Sequence, residues 1–263
     1  MLGENMQRND NYTIEEIVVK TPKSTIFTVQ TYFVGLVALS VLFLVLLNIY
    51  ALRPIGFGNI ALNEFGIVFI APVMVIQKIV VDVWGKNTAY KISLFALVCQ
   101  IVVILLTLLA LALPVDDARA EMAYNFKLVF ESHWRIVLAS ILAFIVATLC
   151  NIYIFDKVKA YCQSRIKENI IFFLAAIIST LIAQLADDST FNILAYAPIG
   201  LTSYEFDWRT VFMTLFVGAG LQILLEAFIV GSFAMHFSKR IKRKLVQNQI
   251  QMSSVFHKYD AMV

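Results

Sequence analysis

An amide, two carboxylates and an aromatic ring lie close together inside one long apolar run of this sequence, Ile170 to Ile199. Residues at helical spacing share a helix face. The residues that share one face here are Thr180, Gln184, Asp187 and Phe191. A charge at the centre of a bilayer costs roughly 2.5–3.5 kcal/mol. The cluster therefore predicts a functional site rather than a device for stability.

The composition indicates that this run belongs to a membrane protein. Hydrophobic residues make up 60% of the chain and charged residues 15%, and the mean hydropathy is +0.80, well outside the range of soluble domains. About 20 apolar residues cross the hydrocarbon core. Six stretches qualify: Thr31–Leu52, Phe65–Val83, Ile92–Leu113, Ile136–Phe155, Ile170–Ala197 and Val211–Met235. We therefore predict an all-α bundle of six transmembrane helices, the fifth of which is tilted or broken near Asp187-Asp188.

Charges in the connections predict the orientation. Lysine and arginine are concentrated in the N-terminal tail, in the second-to-third and fourth-to-fifth connections, and in the C-terminal tail. Cytoplasmic loops carry such an excess, so both termini are expected in the cytoplasm and the protein in the cell membrane. The expected organisation is a polar tail over 1–28 without a signal peptide, a transmembrane domain over 29–237 and a basic tail over 238–263. The Lys239–Lys244 cluster is expected to touch anionic lipid rather than nucleic acid.

Several functional classes are disfavoured by the residues. Cys99, Cys150 and Cys162 show no metal-ligand spacing, the three histidines are scattered, and no phosphate-cradling glycine loop occurs. No metal or other cofactor is expected, and ATP hydrolysis is not expected of this chain. An intramembrane aspartyl enzyme would need two converging carboxylates, whereas Asp187 and Asp188 diverge by about 100° on an ideal helix, so we predict that the protein is not an enzyme.

Further polar residues interrupt three other spans. The fourth carries Phe144, Thr148, Asn151 and Phe155 on one stripe, the second carries Gln77, Lys78 and Asp82 after Pro72, and the last carries Gln222 and Glu226. Each set has two interpretations. Thr148 and Asn151 either line a pocket or bridge helices. Lys78 and Asp82, four residues apart, either border a polar cavity or pair with each other; the residues up to Gly85 also look like a helix end with a glycine cap.

Three segments resemble the queuosine precursor transporter family, which is sometimes grouped with vitamin-uptake-like membrane transporters. They are Pro72 to Gly85, Phe126 to Phe144, and Ser179 to Phe191, and they extend from the second to the fifth span. The resemblance implies uptake of a deazaguanine base, such as 7-cyano-7-deazaguanine, 7-aminomethyl-7-deazaguanine or queuine, for the tRNA modification queuosine.

Some positions depart from the family pattern. Gln77-Lys78 stands where the family has Asn-Asp, and Asp82 and Trp84 stand where it has Glu and Tyr. In the fourth span, Thr148 and Asn151 replace Gln and Asp. If Lys78 faces the pocket, a cationic aminomethyl base is disfavoured relative to the neutral cyano form or to another purine-like molecule.

The residues and the resemblance together give a set of expected site residues. Substrate contacts are expected from Gln77, Lys78, Asp82, Phe144, Asn151, Thr180, Gln184, Asp187 and Phe191, and coupling or supporting roles from Asp188, Gln222 and Glu226. In this interpretation Asp187 accepts two adjacent N–H groups of a guanine-like edge, Gln184 donates to its carbonyl, and Phe191 or Phe144 stacks on the ring.

The expected mechanism is secondary transport by alternating access around a midplane site. The alternatives are a substrate-binding subunit energised by a separate ATPase and a carrier of another purine-like small molecule. The segment Gly218-Ala-Gly220 permits close helix contact either inside the bundle or between protomers, which leaves a homodimer open.

Overall fold

The computed structural model describes residues 23–51, 53–57, 60–130, 134–162, 168–198 and 207–246. In chain order its helices and strands are α1 (Lys23–Tyr50), β1 (Pro54–Phe57), β2 (Ile60–Glu64), α2 (Ile67–Trp84), α3 (Lys86–Ala112), a 3-10 turn (Asp117–Arg119), α4 (Ala120–Phe130), α5 (Trp134–Cys162), α6 (Glu168–Tyr196) and α7 (Trp208–Ile229). A π-helical turn, Val230–Ala234, follows α7, and the helical segment continues to Val246.

Six of these helices are long and apolar enough to cross a membrane: α1, α2, α3, α5, α6 and the segment Trp208–Val246. The predicted six-helix, all-α membrane fold is thereby confirmed. Of the two alternatives for the fifth span, a break near Asp187-Asp188 is wrong, because α6 runs without interruption from Glu168 to Tyr196. The cytoplasmic position of the termini and the limits of the two tails stay predictions.

The connection between α1 and α2 contains a short hairpin that the sequence patterns did not predict. Strands β1 and β2 pair antiparallel, with an irregularity between Ile55 and Gly56. The base of the hairpin is closed by the amide of Phe65, which donates to the carbonyl of Arg53 at 2.8 Å. The rings of Tyr50 and Phe69 stack beside it with centroids 5.2 Å apart. The hairpin and these rings fix the approach of α1 to the start of α2.

Helix α2 is the central helix of the bundle. In its most apolar stretch 72% of the residues are buried, against 17% in α1 and in α3, and it contacts α3, α5, α6 and α7. Pro72 lies within the helix without ending it. The helix ends at Gly85, which has φ 85° and donates its N–H to the carbonyl of Val81 at 3.0 Å. This confirms the glycine-capped end expected from the sequence.

Contacts divide the described chain into two compact units. Residues 35–239 form the larger unit, and residues 23–34 together with 240–246 form the smaller one. In the smaller unit, the Lys244 Nζ atom lies 5.1 Å from the ring centre of Tyr32, a cation–π contact. All the side chains discussed below belong to the larger unit.

Gly66 allows the start of α2 to approach α1, so Gly66→Ala is expected to destabilise the protein. An added Cβ would lie 2.7 Å from the carbonyl oxygen of Leu47 and 3.2 Å from the amide nitrogen of Ala51. Overpacking of this kind costs about 1–3 kcal/mol. The matched control is Gly220→Ala, whose Cβ would meet nothing within 4 Å. Thermal unfolding in detergent should show a lower midpoint for Gly66→Ala and an unchanged one for Gly220→Ala; equal midpoints would contradict the close approach.

Candidate functional site

A cavity of about 60 Å³ lies between α1, α2, α5, α6 and α7, towards the end of the bundle that carries Gly66. Its lining consists of Leu47, Ala51, Gly66, Ile67, Ile70, Ser140, Ala143, Phe144, Asp187, Asp188, Phe191 and Gln222. The space is enough for several water molecules, whereas small-molecule pockets typically measure about 300–1,000 Å³. The polar groups on its walls are two carboxylates, one amide and one hydroxyl.

The two adjacent carboxylates border the same cavity. Asp187 is half-buried and Asp188 is buried, and both line the space although α6 is a continuous helix there. The divergence expected for neighbouring residues on a helix therefore does not keep them out of one cavity lining. Within the described part of the chain, the Asp187 carboxylate makes no hydrogen bond or ion pair. The expectation that Asp187 faces a pocket therefore agrees with the geometry.

Gln222 supplies the amide of the cavity. It is fully buried, and neither its amide nitrogen nor its amide oxygen has a hydrogen-bond partner among the described residues. A buried amide without partners costs about 1–3 kcal/mol. Gln222 therefore presents an unused donor and an unused acceptor to whatever enters the cavity. Sequence reasoning placed it in a supporting role only.

Two aromatic residues complete the lining. Phe144 on α5 is buried in the core beside Ile70, and Phe191 on α6 packs edge-on against Tyr196, with ring centroids 5.7 Å apart. Both were expected as stacking surfaces. Ser140, one turn before Phe144, also lines the cavity and was missed. Ser140 is four residues before Phe144 and so shares its helix face, which could have indicated a place in the same lining.

A buried ion pair lies at mid-length of the bundle. The ammonium of Lys78 on α2 donates to the carboxylate of Glu226 on α7 and to Thr180 Oγ1 on α6, the latter at 2.6 Å. Thr180 Oγ1 is 2.6 Å from Glu226 Oε2. All three side chains are at most 1% exposed. Lys78 does not line the cavity, so the condition under which it would repel a cationic substrate is not met.

The residue before Lys78 enters a second network on the other side of α2. Gln77 Nε2 donates to Ser93 Oγ at 3.1 Å and to Thr148 Oγ1 at 3.0 Å. Gln77 Oε1 accepts from Asn151 Nδ2 at 2.8 Å, and this nitrogen also donates to the carbonyl of Met74 at 3.2 Å. Of the two interpretations for Thr148 and Asn151, the contacts support the bridging of helices.

Asp82 lies near the other end of α2, away from the cavity. Its carboxylate is 2.5 Å from Lys159 Nζ on α5 and accepts a hydrogen bond from Ser238. The alternative in which Lys78 and Asp82 pair with each other is wrong, because each has partners on other helices. A second ion pair at this end joins Lys86 Nζ to Asp156 at 3.1 Å. Lys159 and Ser238 were not predicted as partners of Asp82. Both lie among basic residues at the end of a span, where a position at the membrane surface is the ordinary expectation.

The expected site residues thus fall into separate places. The cavity brings together Phe144, Asp187, Phe191, Asp188 and Gln222; the ion pair holds Lys78, Thr180 and Glu226; the amide network holds Gln77 and Asn151; and Asp82 lies near the Trp84 end. Gln184 is buried on α6. It does not line the cavity, and its side chain makes no hydrogen bond with the described residues.

A six-helix membrane bundle that encloses polar and aromatic side chains near its middle is typical of a small-molecule transporter. In agreement, the family model described as "Putative vitamin uptake transporter" matches residues 64–235. The match covers more than half of the sequence, and the chain belongs to this family. Membership supports transport rather than catalysis. No curated protein and no solved structure matches the chain.

The ion pair gives a stability prediction. Lys78→Met should lower the free energy of unfolding by about 3–5 kcal/mol, because it leaves the Glu226 charge buried and unpaired. The double variant Lys78→Met/Glu226→Met removes both charges and should recover most of that loss. Thermal unfolding of the purified variants in detergent measures both. A double variant no more stable than the single one would contradict the pairing.

Proposed function

We propose that the protein imports a queuosine precursor across the cell membrane by alternating access. The proposed substrate is a 7-deazaguanine-type base: 7-cyano-7-deazaguanine, 7-aminomethyl-7-deazaguanine or queuine. The observation that carries the proposal is the cavity, whose lining combines the Asp187 and Asp188 carboxylates, two phenylalanine rings and the Gln222 amide, which has no hydrogen-bond partner among the described residues. Membership in a family of vitamin uptake transporters supports it at the level of class.

The chemistry of the cavity suits a guanine-like edge. Such an edge offers two adjacent N–H donors, which one carboxylate accepts side by side, and we assign this role to Asp187. The ring carbonyl next to them accepts a hydrogen bond, and the Gln222 amide nitrogen is the available donor. This replaces Gln184, which does not line the cavity. Phe144 and Phe191 would hold the flat ring between them.

The pairing of Lys78 bears on which base is carried. Because Lys78 is paired with Glu226, it does not add positive charge to the cavity. Asp187 and Asp188 together supply a negative field there, which attracts a cationic group at short range. We therefore expect the aminomethyl base to be carried at least as well as the cyano base.

The size of the cavity supports a conformational cycle. At about 60 Å³, the space is below the roughly 300–1,000 Å³ of ordinary ligand pockets, so helices must separate for a bicyclic base to enter. The Trp84 end is tied by the Asp82–Lys159 and Lys86–Asp156 ion pairs. With the termini in the cytoplasm, as the basic connections predict, the cavity is nearer the outer face and the ion pairs are nearer the inner face. Separation of the helices at the cavity end would therefore admit substrate from outside.

The first test is rescue of a bacterial strain that cannot make deazaguanines. The three bases are supplied separately, and queuosine in tRNA is measured with the wild type and with Asp187→Asn. Rescue by at least one base is expected, with loss in Asp187→Asn, because the amide places a donor against the donors of the base and leaves buried groups unpaired at about 1–3 kcal/mol.

The matched control is Asp156→Asn, the same change at a partly exposed carboxylate outside the cavity, which should rescue like the wild type. Equal rescue by Asp187→Asn and the wild type would contradict the assigned role. No rescue by any base, with expression in the membrane verified, would contradict the substrate class.

The second test compares two glutamines. Gln222→Leu should raise the KM for uptake by roughly 5- to 150-fold, the equivalent of one lost buried hydrogen bond of about 1–3 kcal/mol. Gln184→Leu, the same change one turn from Asp187 on α6, should raise it less. Initial rates of uptake of a labelled base give both values. A larger effect at Gln184 would favour the residue chosen from the sequence alone.

A further inference from the structure

The cavity leaves the Lys78–Glu226 pair without a role in substrate contact. Both side chains are buried at mid-length of the bundle, on α2 and α7, and Thr180 on α6 joins them. The pair and Thr180 therefore connect three of the five helices that surround the cavity.

Stability does not explain such a pair. Removing two charges from water usually costs as much as their attraction returns, and well-packed apolar residues often serve as well or better. Within a bilayer the cost of ionisable groups is greater still, and such groups mark substrate or ion pathways. Apolar side chains at positions 78 and 226 would avoid the desolvation cost of two buried charges. The presence of the charges therefore indicates a function.

The pair lies close to the cavity along two helices. Glu226 is four residues beyond Gln222, about 6 Å along α7, and Gln222 forms part of the cavity wall. Thr180 is seven residues before Asp187, about 10 Å along α6. The cavity wall at Gln222 is thus one helical turn from Glu226 along α7.

The charged groups that face Glu226 are few. From α2 it faces Lys78, and from α6 it faces the neutral hydroxyl of Thr180. Asp187 and Asp188 border the cavity on α6, the helix that also carries Thr180. Asp82, on the same helix as Lys78, is paired with Lys159 near the Trp84 end.

We infer that Glu226 carries the proton that drives uptake and that Lys78 is its internal counter-ion. This inference rests on the proposed transport function and specifies its energy source. A proton from the cavity side converts the Glu226 carboxylate to the neutral acid, and the ion pair with Lys78 is lost. Lys78 then remains as a buried cation without its counter-ion, a state that favours rearrangement of α2 against α7. Release of the proton on the opposite side regenerates the carboxylate and restores the pair.

The test uses the full-length protein in liposomes and labelled 7-aminomethyl-7-deazaguanine. Wild type is expected to accumulate the base when the outside is acidic, and a gradient of about one pH unit sustains roughly tenfold accumulation if one proton moves with each base. Glu226→Gln is expected to reach only equal concentrations on the two sides. It should still exchange internal for external base, because exchange requires no net movement of protons. A purely structural role would impair exchange and accumulation together.

Two further variants keep the result interpretable. Lys78→Gln/Glu226→Gln removes both charges, is expected to fold even where Glu226→Gln alone does not, and should also exchange without accumulating. Glu121→Gln makes the same change at an exposed carboxylate on α4 and should keep its accumulation dependent on the pH gradient. Accumulation by Glu226→Gln at the wild-type level, or wild-type accumulation that ignores the pH gradient, would overturn the inference.

A measurement without substrate separates this inference from the proposed function. Infrared difference spectra of the purified protein between neutral and acidic buffer should contain a carboxylic acid band that Glu226→Gln lacks. If wild type exchanges none of the three bases and the band is present, the proposed substrate is wrong and the proton site stands. If the band is unchanged in Glu226→Gln, Glu226 does not titrate and the inference fails.

Discussion

A lysine at the centre of the most buried helix sets the arrangement of this bundle. Lys78 on α2 is fully enclosed, and an unpaired ammonium there would be prohibitively costly. The helices on one side of α2 must therefore bring an acidic group and a hydroxyl to it, which Glu226 and Thr180 provide. The rotation of α6 and of α7 about their axes follows from this requirement. The same rotation turns Asp187 and Gln222 towards the cavity.

Gln77, the residue before Lys78, determines which helices pack on the opposite side of α2. Successive residues on a helix point about 100° apart, so Gln77 and Lys78 address different neighbours. Gln77 uses both its nitrogen and its oxygen in hydrogen bonds to α3 and α5. Gln222 is equally buried but uses neither atom within the described structure. One glutamine amide therefore joins neighbouring helices, whereas the other has no hydrogen-bond partner among the described residues.

The two ends of the bundle differ in what joins the helices. Near Gly66, close backbone contact and aromatic rings surround the cavity. Near Trp84, ion pairs tie α2, α3 and α5. The Lys86–Asp156 pair is partly exposed to water, and such contacts contribute little stability, whereas the Asp82 carboxylate of the other pair is largely enclosed. The buried Lys78–Glu226 pair lies between the two ends and joins α2 to α7.

The sequence by itself determined the membrane class, the six helices and the glycine-capped end of α2, and it pointed to Asp187, which lines the cavity. These features depend on local composition and residue spacing, which can be read directly from the amino-acid sequence. Only the tertiary structure decided the partners. Lys78 and Glu226 are 148 positions apart, and Lys78 and Thr180 are 102 apart, so no helical periodicity relates them. The sequence pointed to Asp82 as one partner of Lys78 and to Gln184 as the binding amide. Both choices failed to match the contacts because helix rotation and packing determine which side chains meet across a bundle, and these are set by all six helices together.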